Sequence, residues 1–113
     1  MSGSQHEKKE LSMVRWTRTA SVRSGKGAKA LEVGKKLAAF AGQQFGLQVQ
    51  VFYDAAGAGN RIVWMADLPD MGVAETLLRT LMSNPDYLAM ADDPSVSQLW
   101  IDGTSEDAFL MGW

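Results

Sequence analysis

At 113 residues the chain has the length of one domain. Its 11 basic and 13 acidic residues nearly cancel, so nothing in the charge points to a nucleic-acid partner. The absence of cysteine excludes disulfides, thiolate catalysis and cysteine-ligated metals.

Met1 to Glu10 is polar and charged and reads as a disordered leader, leaving residues 11–113 as the folding unit. The leader has no apolar signal core, and no segment approaches the ~20 apolar residues of a membrane span. No membrane partner is expected, and the cytoplasm is the default compartment. His6, the single histidine, falls in this leader, where nothing would hold it for metal binding or base catalysis.

Leu11 to Arg23 alternates as a half-buried strand does, with Val14, Trp16, Ala20 and Val22 on one face. Arg18 shares that apolar face and is the misfit. The basic residues Arg15, Arg18, Arg23, Lys26 and Lys29 read mainly as a solvated rim. A glycine-containing break precedes a helix to Phe45, whose stripe includes Leu31, Gly34, Leu37, Ala38 and Ala41, with Gly46 placed for a left-handed cap. Small residues in that stripe predict close packing on a sheet. Leu47 to Tyr53 and Arg61 to Leu68 read as a hairpin whose turn carries Gly57 and Gly59. Asp70 caps a helix over Met71–Met82, and Ser83-Asn84-Pro85 starts a shorter one that ends at Asp92-Asp93-Pro94. Val96 to Asp102 is the predicted last strand. Thr104-Ser105-Glu106-Asp107 resembles a helix cap leading into an apolar end that should dock on something.

The order β-α-β-β-α-β predicts an α+β, ferredoxin-like domain: a four-stranded antiparallel sheet with both helices on one face. The strands nevertheless carry large apolar residues on both parities, Val63 and Met65 as well as Ile62 and Trp64. A second copy covering the open face, giving a homodimer, answers that excess.

Three stretches, Val22-Arg23-Ser24-Gly25-Lys26, Trp64-Met65-Ala66-Asp67 and Asn84-Pro85-Asp86-Tyr87, resemble the dimeric α/β-barrel superfamily, which includes the antibiotic-biosynthesis monooxygenases. The resemblance spans Val14 to Asp102. It implies a homodimer built as an α/β barrel and a pocket between the sheet and the second helix region. In the heme-degrading branch the pocket uses an asparagine, a tryptophan and a histidine, at positions held here by Arg18, Trp64 and Met90. Only the tryptophan matches, so heme degradation is disfavoured and no cofactor is expected.

The carboxylates Asp67, Asp70, Asp92 and Asp93 sit at element ends and read as caps, with no metal-loop spacing. The methionines, Met82 among them, read as core filling. Trp16, Trp64 and Trp100 with Tyr53 are either plain core or the wall of a pocket for a flat apolar or aromatic molecule. Arg18 needs a partner wherever it is buried: an ion pair or aromatic face within the dimer, or a ligand's carboxylate or phenolate. The ligand-binding candidates are therefore Trp16, Arg18, Tyr53, Trp64 and Met90. Three functions compete: a small-molecule-binding homodimer, an enzyme resembling cofactorless monooxygenases or polyketide cyclases with Tyr53 or Arg18 taking part, and a purely structural dimer. No histidine, cysteine, Asp or Glu falls on the interior face of a predicted strand, which lowers the enzyme reading.

Overall fold

The computed structural model describes residues 13–54 and 60–113; the predicted leader with His6 and the turn glycines Gly57 and Gly59 lie outside them. The elements run β1 (Met13–Ser21), α1 (Gly27–Phe45), β2 (Gln50–Asp54), β3 (Arg61–Leu68), α2 (Met71–Ser83), α3 (Pro85–Asp92), α4 (Pro94–Ser97) and β4 (Glu106–Gly112). All strand pairs are antiparallel, in the order β2-β3-β1-β4. That order, with its two βαβ halves, is the ferredoxin-like α+β arrangement expected from the sequence.

The period of two on β1 and β3 decides which face is covered. Val14, Trp16, Ala20 and Val22 are buried with Ile62, Trp64, Ala66 and Leu68, beneath α1 and α2. Residues directly opposite in a ladder share a face, and Arg18 stands opposite Trp64. Arg18 is thereby fixed among apolar neighbours. On α1, Ala30, Val33, Gly34, Leu37, Ala38 and Ala41 turn inward. A side chain at Gly34 would meet Ile62 and Trp64 at 3.4–3.5 Å, so glycine lets helix and sheet approach closely. The Trp64 indole N–H uses that approach and donates to the Gly34 carbonyl at 2.9 Å. Gly46, at φ 63°, closes the helix and donates its N–H to Gly42 O.

Three side-chain caps organise the helices between β3 and β4. Asp70 accepts from the Val73 N–H at 2.9 Å, and Asn84 from the Asp86 and Tyr87 N–H groups at 2.9 and 3.0 Å. Asp93 accepts from Ser95 N–H at 2.8 Å. Pro85 and Pro94 follow two of these caps as first helical residues, where a missing N–H costs nothing.

The fourth strand departs from expectation. The predicted strand over Val96–Asp102 begins instead inside α4, because Asp93-Pro94 starts a helical turn as Asn84-Pro85 does. Only a short piece is strand-like: Val22 and Trp100 form an isolated antiparallel bridge, with Arg23 N–H donating to Leu99 O and Ile101 N–H to Ser21 O, each at 2.9 Å. The chain then turns through Gly103 (φ 78°) and returns along the same edge of β1 as β4. If the β4 register continued upward, Val22 would face Gly103 and not Trp100, so three residues are looped out of one interrupted edge strand. Thr104 bridges the interruption. Its hydroxyl accepts from Ser21 N–H at 3.1 Å and donates to Ile101 O at 2.6 Å. Thr104 to Asp107 is therefore no helix cap, and Glu106 and Asp107 belong to a strand.

The uncovered sheet face carries Thr17, Thr19, Val63, Met65, Phe52 and Leu110 by register. Phe52 and Leu110 are 46% and 54% exposed. Cross-strand ion pairs flank this patch, Arg15–Asp67 at 2.7 Å and Arg61–Asp54 at 2.5 Å. Met82 is exposed and is not core filling. Among the described residues, no helix is long and apolar enough to cross a membrane.

Candidate functional site

Arg18 is the one charged side chain that strand parity points into the covered side of the central strands. It finds its partners within the chain. Nε and Nη2 donate to the two carboxylate oxygens of Asp107 at 2.6 and 3.0 Å, and Nη1 donates to the Tyr87 hydroxyl at 2.9 Å. The guanidinium carbon also lies 5.7 Å from the centre of the Trp16 ring. Burial alone would lower the Arg18 pKa; the Asp107 and Tyr87 contacts more than offset this, so it stays above its ordinary value and the group stays charged. Register explains the pair: β4 sets Asp107 directly opposite Arg18. Nη1 and Nη2 each keep one hydrogen that Asp107 and Tyr87 do not engage, and Tyr87 keeps its own O–H to donate.

Beside this group opens a cleft of about 280 Å3. Trp64, Trp100, Tyr87, Leu37, Ala20 and Arg18 wall it, and the looped-out stretch from Asp102 to Ser105 forms its rim. Trp64 and Trp100 meet edge to face, with ring centres 5.6 Å apart and planes at 63°. Behind the cleft lies a second, small cavity of about 30 Å3. Trp16, Ala38, Ala41, Val49 and Leu81 line its inner side, while Arg18, Leu37, Trp64 and Tyr87 line both spaces. The indole N–H of Trp16 is buried and has no hydrogen-bond partner among the described residues.

Of the residues expected to bind a ligand, Arg18 and Trp64 line the cleft and the inner cavity, and Trp16 lines the inner cavity only. Met90 packs against the core and lines neither space. Tyr53 also stands apart. It lies on β2, at the far edge from β4, and its hydroxyl donates to Asn60 Oδ1 at 2.7 Å.

Trp100, weighed as pocket wall but left out of the ligand-binding candidates, lines the cleft, and Tyr87 and Asp107 belong to the site without having been singled out for it. Each has a local signal. Asn84-Pro85 starts the helix whose first turn carries Tyr87. Trp100 follows Leu99 in the bridge beside β1. Asp107, Phe109 and Met111 alternate onto one face of β4, opposite Arg18, Trp16 and Val14. A carboxylate therefore stands on the covered side of β4, a strand that was not among the predicted ones. Among the described residues no group of three or more histidines, cysteines or carboxylates is placed to hold a metal ion.

No family model matches the chain, and no curated protein matches it in sequence. Solved structures do match in shape. A NIPSNAP family protein of unknown function from Agrobacterium tumefaciens aligns with a TM-score of 0.73 at 20% identity, covering 91% of this chain and 90% of that one. SnoaB, a cofactor-independent oxygenase from Streptomyces nogalater, aligns with a TM-score of 0.62 at 21% identity, covering 88% of this chain and 92% of that one. A candidate antibiotic biosynthesis monooxygenase from Nitrosomonas europaea aligns with a TM-score of 0.66 at 15% identity, covering 91% and 92%. At these identities the likeness is one of fold: the chain is ferredoxin-like and resembles the NIPSNAP proteins and the antibiotic-biosynthesis-type monooxygenases in architecture.

Proposed function

We propose that this chain is one subunit of a homodimer that binds a flat, neutral, apolar or aromatic small molecule in the Trp64–Trp100 cleft. The observation that carries the reading is the open, aromatic-walled cleft of about 280 Å3, with donors from Arg18 and Tyr87 at its inner end. Small-molecule sites are largely apolar, with a few polar groups that fix orientation. Asp107 already occupies the forked face of Arg18, so the local charge is balanced. A ligand carboxylate would have to displace Asp107, whereas a neutral ring bearing an oxygen acceptor uses the donors left over. The cleft also weighs against a purely structural dimer.

The homodimer reading rests on the uncovered face around Val63, Met65, Phe52 and Leu110. Trp64 points the other way, into the core, so a charge there would test folding and not assembly. Val63→Glu is the informative variant. It should convert a dimer to a folded monomer by native mass spectrometry, and a wild-type monomer would refute the assembly.

Binding is tested with N-phenyl-1-naphthylamine, a neutral fluorescent aromatic. Saturable binding, weakened about tenfold or more by Trp100→Ala, is expected from the loss of one stacking wall. Absence of binding, or binding indifferent to Trp100, would refute the cleft as the site.

A second reading is cofactor-independent oxygenase chemistry, supported by the fold shared with SnoaB and by donors placed beside a stacking surface. Oxygen uptake upon addition of whatever small molecule native mass spectrometry finds retained would separate an enzyme from a binder.

A further inference from the structure

The inner cavity adds a chemical requirement that the cleft alone does not impose. We propose that it is the anchoring end of the ligand site and takes one neutral oxygen acceptor, a carbonyl, on the indole N–H of Trp16; this rests on the cleft being a ligand site.

Trp16 is 2% exposed, and its N–H is a buried donor without a partner among the described residues. Such donors are rare in folded proteins because an unmade bond costs the full desolvation of the group. By contrast Trp64, its neighbour in the sheet, satisfies its N–H on Gly34. The space beside Trp16, about 30 Å3, suits one small group, since a single water needs at least ~10–15 Å3.

The walls decide what that group is. Leu37, Ala38, Ala41, Val49 and Leu81 are aliphatic, so a charged oxygen would be desolvated against hydrocarbon. The remaining side-chain polar groups, Arg18 and Tyr87, offer hydrogens: one N–H on each Nη and the phenolic O–H. A cavity whose side chains supply donors favours an oxygen without a hydrogen of its own. A carbonyl meets that condition better than a hydroxyl. Because Arg18, Leu37, Trp64 and Tyr87 bound both spaces, a ring against Trp64 and Trp100 can extend a carbonyl past them toward Trp16.

The test pairs 2-acetylnaphthalene with 2-isopropenylnaphthalene, which replaces the carbonyl by a methylidene of similar shape, using calorimetry and the indole N–H resonances. Wild type should prefer the ketone by about 3- to 10-fold, the range of one net neutral hydrogen bond. Trp16→Phe should erase the preference while still binding the hydrocarbon. The Trp16 indole N–H signal of the unmutated protein should shift with the ketone alone, which keeps the test decisive if the variant fails to fold. Ala41→Leu, which fills the cavity, should also erase the preference. Binding of both probes without preference would overturn the anchoring role and leave the cleft reading intact. A preference that survives Trp16→Phe, or a water that stays on the indole N–H with ketone bound, would overturn it likewise. If neither probe binds, both readings are overturned.

Discussion

Replacing Asp107 by alanine strips Arg18 of two of its three hydrogen bonds and leaves only Tyr87. The side chains of Arg18 and Asp107 are 15% and 27% exposed, so the pair is neither a surface bridge nor a sealed one. Removing one partner of a fully buried pair costs about 3–5 kcal/mol, because the other charge is stranded. An exposed pair is worth about 0–1 kcal/mol. Between those limits, Asp107→Ala should cost about 2 kcal/mol, lowering the melting temperature by about 8–16 °C in a domain of this size. Urea unfolding at fixed protein concentration, run on Arg18→Met, Asp107→Ala and the double variant, gives the coupling directly. The double variant should be less destabilised than the sum of the singles by about 2 kcal/mol, because it leaves no stranded charge. A coupling below about 0.5 kcal/mol would show that Arg18 is solvated independently of β4, and the argument from burial would fail.

Gly42→Ala should destabilise the protein even though alanine favours a helix by about 1 kcal/mol, since the added carbon would lie 2.7 Å from the Leu47 carbonyl oxygen; chemical denaturation reads the sign. The Arg15 hydrogen bond lowers the Asp67 pKa from the ordinary aspartate value despite an opposing desolvation, and bonds from Ser95 lower that of Asp93. Folded values below the unfolded ones mean a contribution present above the unfolded pKa and lost as pH falls through the folded one. Asp67→Asn should therefore lower stability modestly at neutral pH and flatten the acid limb of a stability-versus-pH curve, so that variant and wild type converge as the pH falls below about 4. Trp64→Phe should lose about 1 kcal/mol with the bond to Gly34 O, in addition to packing, which chemical denaturation reads.

Most of the architecture was legible because alternation and helical stripes are dictated by burial on one face. Arg61–Leu68 was read with its observed bounds, and Asp70, Asn84-Pro85 and Gly46 marked helix ends through caps that depend only on local chemistry. Arg18 was identifiable as a misfit for the same reason: strand parity put a charge where only apolar residues belong. What was not legible depended on pairing. Val96–Asp102 is as apolar as a strand, yet Asp93-Pro94 starts a helical turn before the chain reaches the sheet. Glu106–Gly112 lies on an edge and is largely exposed, so it carries little of the burial pattern that announces a strand. The partner of Arg18 was missed with it, since Asp107 becomes an interior carboxylate only once β4 is in register. Tyr53 shows the converse limit: its aromatic character suggested a pocket, while its place on the far edge strand, invisible in a linear pattern, leaves it lining neither space.

The looped-out turn between Ile101 and Glu106 separates two design problems that most sheets solve together. Because the Thr104 hydroxyl carries the hydrogen bonds across the gap, the rim of the cleft sits outside the ladder that holds β4 to β1. Asp102 and Ser105 can then be exchanged, and the turn lengthened or shortened, with Gly103 retained for its positive φ and the strand pairing kept by the segments on either side. That makes this short turn a natural grafting point: a scaffold in which the breadth of the opening is adjusted in one exposed stretch, while the residues that hold the chain together stay as they are.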